Sequence, residues 1–267
     1  MRKKNLLVIV LSVLVFLSAL LLGVSSVYRV DSVFVYANTI SEDAKKEADE
    51  LQKMLTNEYK EKNSLFADDE IAKTVVARFP YFRLTSFEKG YPNRLIVRVQ
   101  EDEEVYAIPC DASAQNYYIL NAEGTVLSIR DDYNNRSDKT GEELNLLIKG
   151  VSVTGEKGKP IEGDEKLSCV FSVCQKASTM LNGIRSNFTE VELSGASSNE
   201  TFTIALTTRE GVKIYIRKPF TSTETKIELA INTYMGMTDE QRTKGMLTIF
   251  DGEDGVQTVY FERDTVG

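Results

Sequence analysis

The chain has 267 residues, 42% of them hydrophobic and 27% charged, with a net charge of −8. That composition supports a packed core and argues against global disorder, while the acidic balance leaves no basic face to neutralise nucleic-acid phosphates. Histidine is absent, which removes Ser–His–Asp and Cys–His chemistry and histidine-based zinc sites.

From the N-terminus, Arg2, Lys3 and Lys4 precede an apolar run, Leu6–Val27, with no charge until Arg29. As a helix this run is about 33 Å long, close to the hydrocarbon thickness of a bilayer. It exceeds the roughly 7–15 apolar residues of a signal-peptide core. The reading is therefore an uncleaved transmembrane helix over 6–27, preferred to a signal peptide cut near Val24-Ser25-Ser26. The basic flank assigns residues 1–5 to the cytoplasm and everything after the helix to the outside.

The exported part opens with a strand, YRVDSVFVYA. SEDAKKEADELQKML follows as a helix with Ser41 as N-cap and Ala44, Ala48, Leu51 and Leu55 at helical spacing. ADDEIAKTVVARF reads as a second helix with Asp68 or Asp69 near its start and Ile71, Val75, Val76 and Phe79 as its stripe, stopped by Pro80. Phe82–Lys89 and Arg94–Gln100 are strands about a turn at Gly90–Asn93, with Leu95, Val97 and Val99 on one face. The order is β-α-α-β-β over residues 28–104. Residues 105–267 read as a mixed β domain with two helices. NYYILNAEGTVLSI is a hairpin turning at Asn121–Gly124, and the polar stretch DDYNNRSDKTGEE leads to LNLLIKGVSV. A helix begins near Glu165, with Leu167, Val170, Phe171, Cys174, Ala177 and Leu181 on one face. Strands around TFTIALTT and GVKIYI precede a helix with a Thr221/Glu224 capping box and the stripe Ile227, Ala230, Ile231 and Tyr234. GMLTIFDGEDGVQTVYFE closes as two strands about a tight turn. The fold class is thus α+β behind one membrane helix.

Motifs that suggest chemistry have plainer explanations. Ser86-Phe87-Glu88-Lys89 and Lys139-Thr140-Gly141 imitate a penicillin-binding set, but Ser86 lies in a strand and no separate Ser-x-Asn stands between them. Gly150–Gly155 imitates a phosphate loop, with Glu156 where lysine is required. Asp251–Gly255 lacks the alternating oxygen ligands of a calcium loop and reads as a hairpin turn. Cys110, Cys169 and Cys174 are an odd set without a disulfide framework, and read as free or buried thiols. The four acids Glu101-Asp102-Glu103-Glu104 alternate in direction on an extended chain, so they read as a solvated junction between two folded units. No cofactor or metal is expected.

Laid end to end, the chain resembles the DivIB/FtsQ family of bacterial cell-division proteins. Val35, Asn38 and Ser41 fit that family's strand-to-helix corner, and Phe79-Pro80 fits the end of its second helix. Pro92, Leu95, Val97, Val99, Glu101, Val105 and Ala107 follow its "P-x-x-L-x-I-x-V-x-E-R-x-P-V-A" signature, with Asp102 and Glu104 replacing the arginine and the proline. Tyr118-Ile119-Leu120 with Gly124, Leu147 with Gly150, and Lys226 at the opening of the last helix continue the match.

The resemblance implies a POTRA domain followed by a DivIB/FtsQ-type β domain, in a scaffold rather than an enzyme. It also implies a protein of the plasma membrane and the division septum. The implied partners are FtsL-like and DivIC/FtsB-like membrane proteins and, through them, the septal peptidoglycan synthase. The strand Gln257–Glu262 would offer a free edge to a partner strand, with Phe250, Thr258, Tyr260 and Phe261 as the contact. Neighbouring strand residues point to opposite faces, so at least one of Tyr260 and Phe261 packs inward instead. The competing reading is a membrane-anchored exported cell-wall enzyme using a carboxylate pair, Glu101 and Glu103. An outer-membrane barrel-assembly protein fits poorly, because helices interleave the strands after Tyr117.

Overall fold

The computed structural model describes residues 2–39, 42–111, 113, 115–137, 144–195, 201–252 and 254–263. It is a mixed α+β chain with one N-terminal apolar helix and a large mixed sheet. That helix, α1 (Arg2–Val27), includes an uncharged stretch, Val8–Val27, in which every residue is exposed. At about 30 Å this stretch is long and apolar enough to cross a membrane. The chain forms two compact units, the first including α1 and ending at Glu101, the second beginning at Asp102.

The first unit continues with β1 (Ser32–Asn38), α2 (Glu42–Tyr59), α3 (Glu70–Val76), β2 (Phe82–Gly90) and β3 (Arg94–Glu101). β3 lies between the other two strands, parallel to β1 and antiparallel to β2. Alternation does the sorting. Leu95, Val97 and Val99 are buried with Val33 and Phe82 against Ala44, Leu51, Leu55 and Tyr59 of α2 and Ala72, Val75 and Val76 of α3. The second helix is shorter than its apolar stripe suggests. It ends at Val76, and Phe79 reaches the core through a tighter turn, its N–H donating to the Val76 carbonyl at 2.8 Å. A proline disfavours helical backbone in the residue before it, so Pro80 acts upstream of its own position. The Ser41 cap lies outside the described residues.

The second unit holds a nine-stranded sheet. Its strands are β4 (Tyr106–Pro109), β5 (Tyr117–Leu120), β6 (Val126–Arg130), β7 (Leu146–Lys149), β10 (Phe188–Ser194), β11 (Thr203–Thr208), β12 (Val212–Arg217), β13 (Gly245–Asp251) and β14 (Gln257–Glu262). A short ribbon, β8 (Val153–Thr154) with β9 (Glu162–Gly163), stands apart. The spatial order is β14-β13-β12-β11-β10-β7-β4-β5-β6, which puts β14 at one edge. Two helices, α4 (Glu165–Leu181) and α5 (Thr223–Met235), share a core with the sheet, and a short α6 (Asp239–Arg242) precedes β13.

The α4 stripe is buried at Leu167, Val170, Cys174 and Ala177, and half-buried at Phe171 and Leu181. Burial pushes the Cys169 thiol up to about 11 and the Cys174 thiol up to about 12, so both stay protonated at neutral pH, and all three cysteines are free. α5 buries all four residues of its stripe. Its expected capping box does not form: the helix opens one residue later, with Ser222 as N-cap in the left-handed conformation (φ 51°) and no side-chain cap bond. A capping box appears instead at α6, between Thr238 and Gln241.

Candidate partner-binding edge

β13 and β14 form the C-terminal hairpin. Its turn closes by Gly252 N–H donating to the Val256 carbonyl at 2.8 Å, with Gly255 at φ 75°. In the resulting register Phe250 faces Thr258, Thr248 faces Tyr260, and Leu247 faces Phe261. Strand alternation then divides the predicted contact residues. Thr258 is exposed and Tyr260 is 58% exposed, on the face that carries half-buried Phe250. Phe261 lies on the other face and packs with Val259 against the main core. It is therefore the inward aromatic of the pair.

Gly245 makes that packing possible: a Cβ there would come within 2.6 Å of the Phe261 ring, and the residue sits at φ 153°. Tyr215 of β12 lies beside Thr248, so the outward face continues one strand inward, with exposed Lys213 and Arg217 at its margins. On an antiparallel edge strand, alternate residues direct both main-chain groups away from the neighbouring strand. Among the described residues no strand pairs with the outer side of β14. The edge can therefore hydrogen-bond an added strand, and its side chains can select which one.

One buried cation holds the hairpin to the rest of the unit. Lys226, in the first turn of α5, is fully buried. Its Nζ donates to the Arg217 and Lys218 carbonyls at 3.0 Å each and to Asp251 Oδ2 at 2.8 Å. Three donors meet three acceptors, which is full satisfaction for an ammonium group. The contact joins α5 to the end of β12 and to the end of β13. The family resemblance points to Lys226, whereas the local sequence places its partner Asp251 only in a hairpin turn.

The acid run is not uniformly solvated. Glu101 and Glu104 are both buried. Glu104 accepts a bidentate pair from Arg130 at 2.8 Å each, the Arg136 backbone N–H at 3.0 Å and Asn145 Nδ2 at 3.2 Å. Its own N–H donates to Ser137 Oγ at 2.6 Å, and its carbonyl accepts from Asn135 at 2.7 Å. Arg130, Arg136 and Asn145 thus surround the Glu104 carboxylate and meet its lone pairs. Four acids in a row prefer water, but the arginine and the asparagines that pay for burial lie 26 to 41 residues away. Local reading had no access to them.

The imitated enzyme motifs do not assemble. Ser86 Oγ donates to Glu88, while Lys89 Nζ donates to the Leu65 carbonyl at 2.7 Å. Lys139–Gly141 lies outside the described residues. Among the described residues, no group of three Cys, Asp or Glu side chains is placed to hold a metal ion. No protein-family model matches the chain, and no curated protein matches it.

Proposed function

We propose that this chain is a single-pass scaffold of the bacterial division machinery, of the DivIB/FtsQ type. In this reading α1 sits in the plasma membrane with its basic flank inside, at the division septum. The first unit is a POTRA domain, and the second recruits FtsL-like and DivIC/FtsB-like membrane proteins that connect to septal peptidoglycan synthesis. The observation that carries it is the position of β14: a terminal edge strand, with Thr258 and Tyr260 outward, on a chain that begins with an apolar helix of membrane length. The β-α-α-β-β order of the first unit and the ordered run of family-like residues support it.

The test is co-purification from crosslinked, dividing cells, comparing wild type with Tyr260→Lys. A lysine retains the strand but replaces an aromatic contact with a strongly hydrated charge. Recovery of a small coiled-coil membrane protein should fall about tenfold or more, the loss expected from a central aromatic contact worth above about 1.4 kcal/mol. Unchanged recovery would remove the strand-pairing proposal. The exported-enzyme reading requires turnover of a muropeptide that is lost in Glu101→Ala and Glu103→Ala.

A further inference from the structure

The segment joining α1 to β1 is not a loose tether. Val30 N–H donates to the Lys62 carbonyl at 2.9 Å, Ser64 N–H to the Tyr28 carbonyl at 2.7 Å, and Asp31 N–H to the Asn93 carbonyl at 2.9 Å. Arg29 and Asn63 form an antiparallel bridge, and Ser64 Oγ donates to the Pro92 carbonyl. Residues 28–31 therefore leave the helix clasped between the α2–α3 loop and the β2–β3 turn.

Those two segments carry side chains unusual for a solvated surface. Phe66 is 83% exposed and Tyr91 is 60% exposed, with Tyr91 edge-on to Tyr28 at 6.2 Å between ring centroids. Arg29, Lys60 and Lys62 are exposed around them. Asp31, Glu61 and Asp68 are the nearby acids, Glu61 being paired with Arg29 at 2.7 Å. β1 begins five residues after Val27, and five extended residues span at most roughly 17 Å. The clasp thus holds these rings close to where α1 ends. Aromatic rings with a polar edge or a cationic neighbour favour the boundary between headgroups and acyl chains.

We infer that this end of the first unit is seated on the bilayer that α1 crosses, with Phe66 and Tyr91 dipping into the interface and Arg29, Lys60 and Lys62 facing lipid phosphates. The first unit would then be held against the membrane rather than swinging on a flexible stalk. This rests on the reading of α1 as a retained membrane span.

The chain contains no tryptophan, so a single replacement supplies a unique reporter. Full-length Phe66→Trp in phosphatidylcholine nanodiscs, brominated high on the acyl chains, should lose emission about twofold or more relative to unbrominated discs, with a blue-shifted maximum. Tyr91→Trp is the second reporter should the first fail to fold. Leu17→Trp, inside α1, serves as the independent check, with bromines deep in the chains. Quenching at Leu17→Trp together with water-like, unquenched emission at both loop positions overturns the seating alone. No quenching at Leu17→Trp overturns the membrane span and the seating with it.

Discussion

Replacing Lys226 with methionine is expected to destabilise the second unit by about 3–5 kcal/mol, towards the lower figure. Methionine fills much of the same volume, so the loss is of hydrogen bonds and charge rather than packing. The Arg217 and Lys218 carbonyls would lose their shared donor, and Asp251 its partner. Asp251 retains 27% side-chain exposure and can turn towards water, which limits the cost. Asp251→Asn leaves the opposite imbalance, a fully buried ammonium without its counter-charge, and should cost at least as much as Lys226→Met. Because each single change strands a partner, the double replacement should cost clearly less than the sum of the two. Urea unfolding of residues 28–267, monitored on the transition of the second unit, measures all three. Equal and additive losses below about 0.5 kcal/mol would mean that the lysine is only a packed stem.

Glu104→Ala is expected to produce a loss of similar size, about 3–5 kcal/mol, by a different route. Arg130 is only 10% exposed and would lose its bidentate partner, with Asp132 still beside it at 3.3 Å. The Arg136 N–H would lose its Glu104 acceptor, and the Asn145 amide would keep only a long bond to the Asn134 carbonyl at 3.5 Å. The segment that wraps the carboxylate should loosen first, so amide exchange over 132–137 should accelerate more than exchange in β10–β12. Glu104→Gln, which keeps the shape and one acceptor but not the charge, should fall between wild type and alanine. A Glu104→Ala protein as stable as wild type, with unchanged exchange over 132–137, would show that this buried ion pair contributes nothing net.

The parts of the fold legible in the sequence are those set by local periodicity. The stripe Ile227, Ala230, Ile231 and Tyr234 and the alternation of Leu95, Val97 and Val99 went where their spacing directed. What was illegible depends on partners distant in the chain. Nothing local says that β7 pairs in parallel with both β4 and β10, or that β12 runs parallel to β13 across a helix. Those pairings are what leave β14 at the edge.

Buried charge was the other blind spot. A glutamate in an acid run reads as solvated until Arg130 is brought to it, and nothing local pairs Lys226 with Asp251. At the candidate edge, alternation alone said that Tyr260 and Phe261 diverge. Which one turns inward required the hairpin register and the space left by Gly245.

The most direct test of the scaffold reading is a photo-crosslinker placed on the edge in living cells. Benzoyl-phenylalanine in place of Thr258, outward on β14, should yield a covalent adduct with a membrane protein. The same group at Ser172, exposed on α4 of the same unit, should yield none. No adduct at Thr258, or equal yield at the two positions, would contradict a partner strand on this edge.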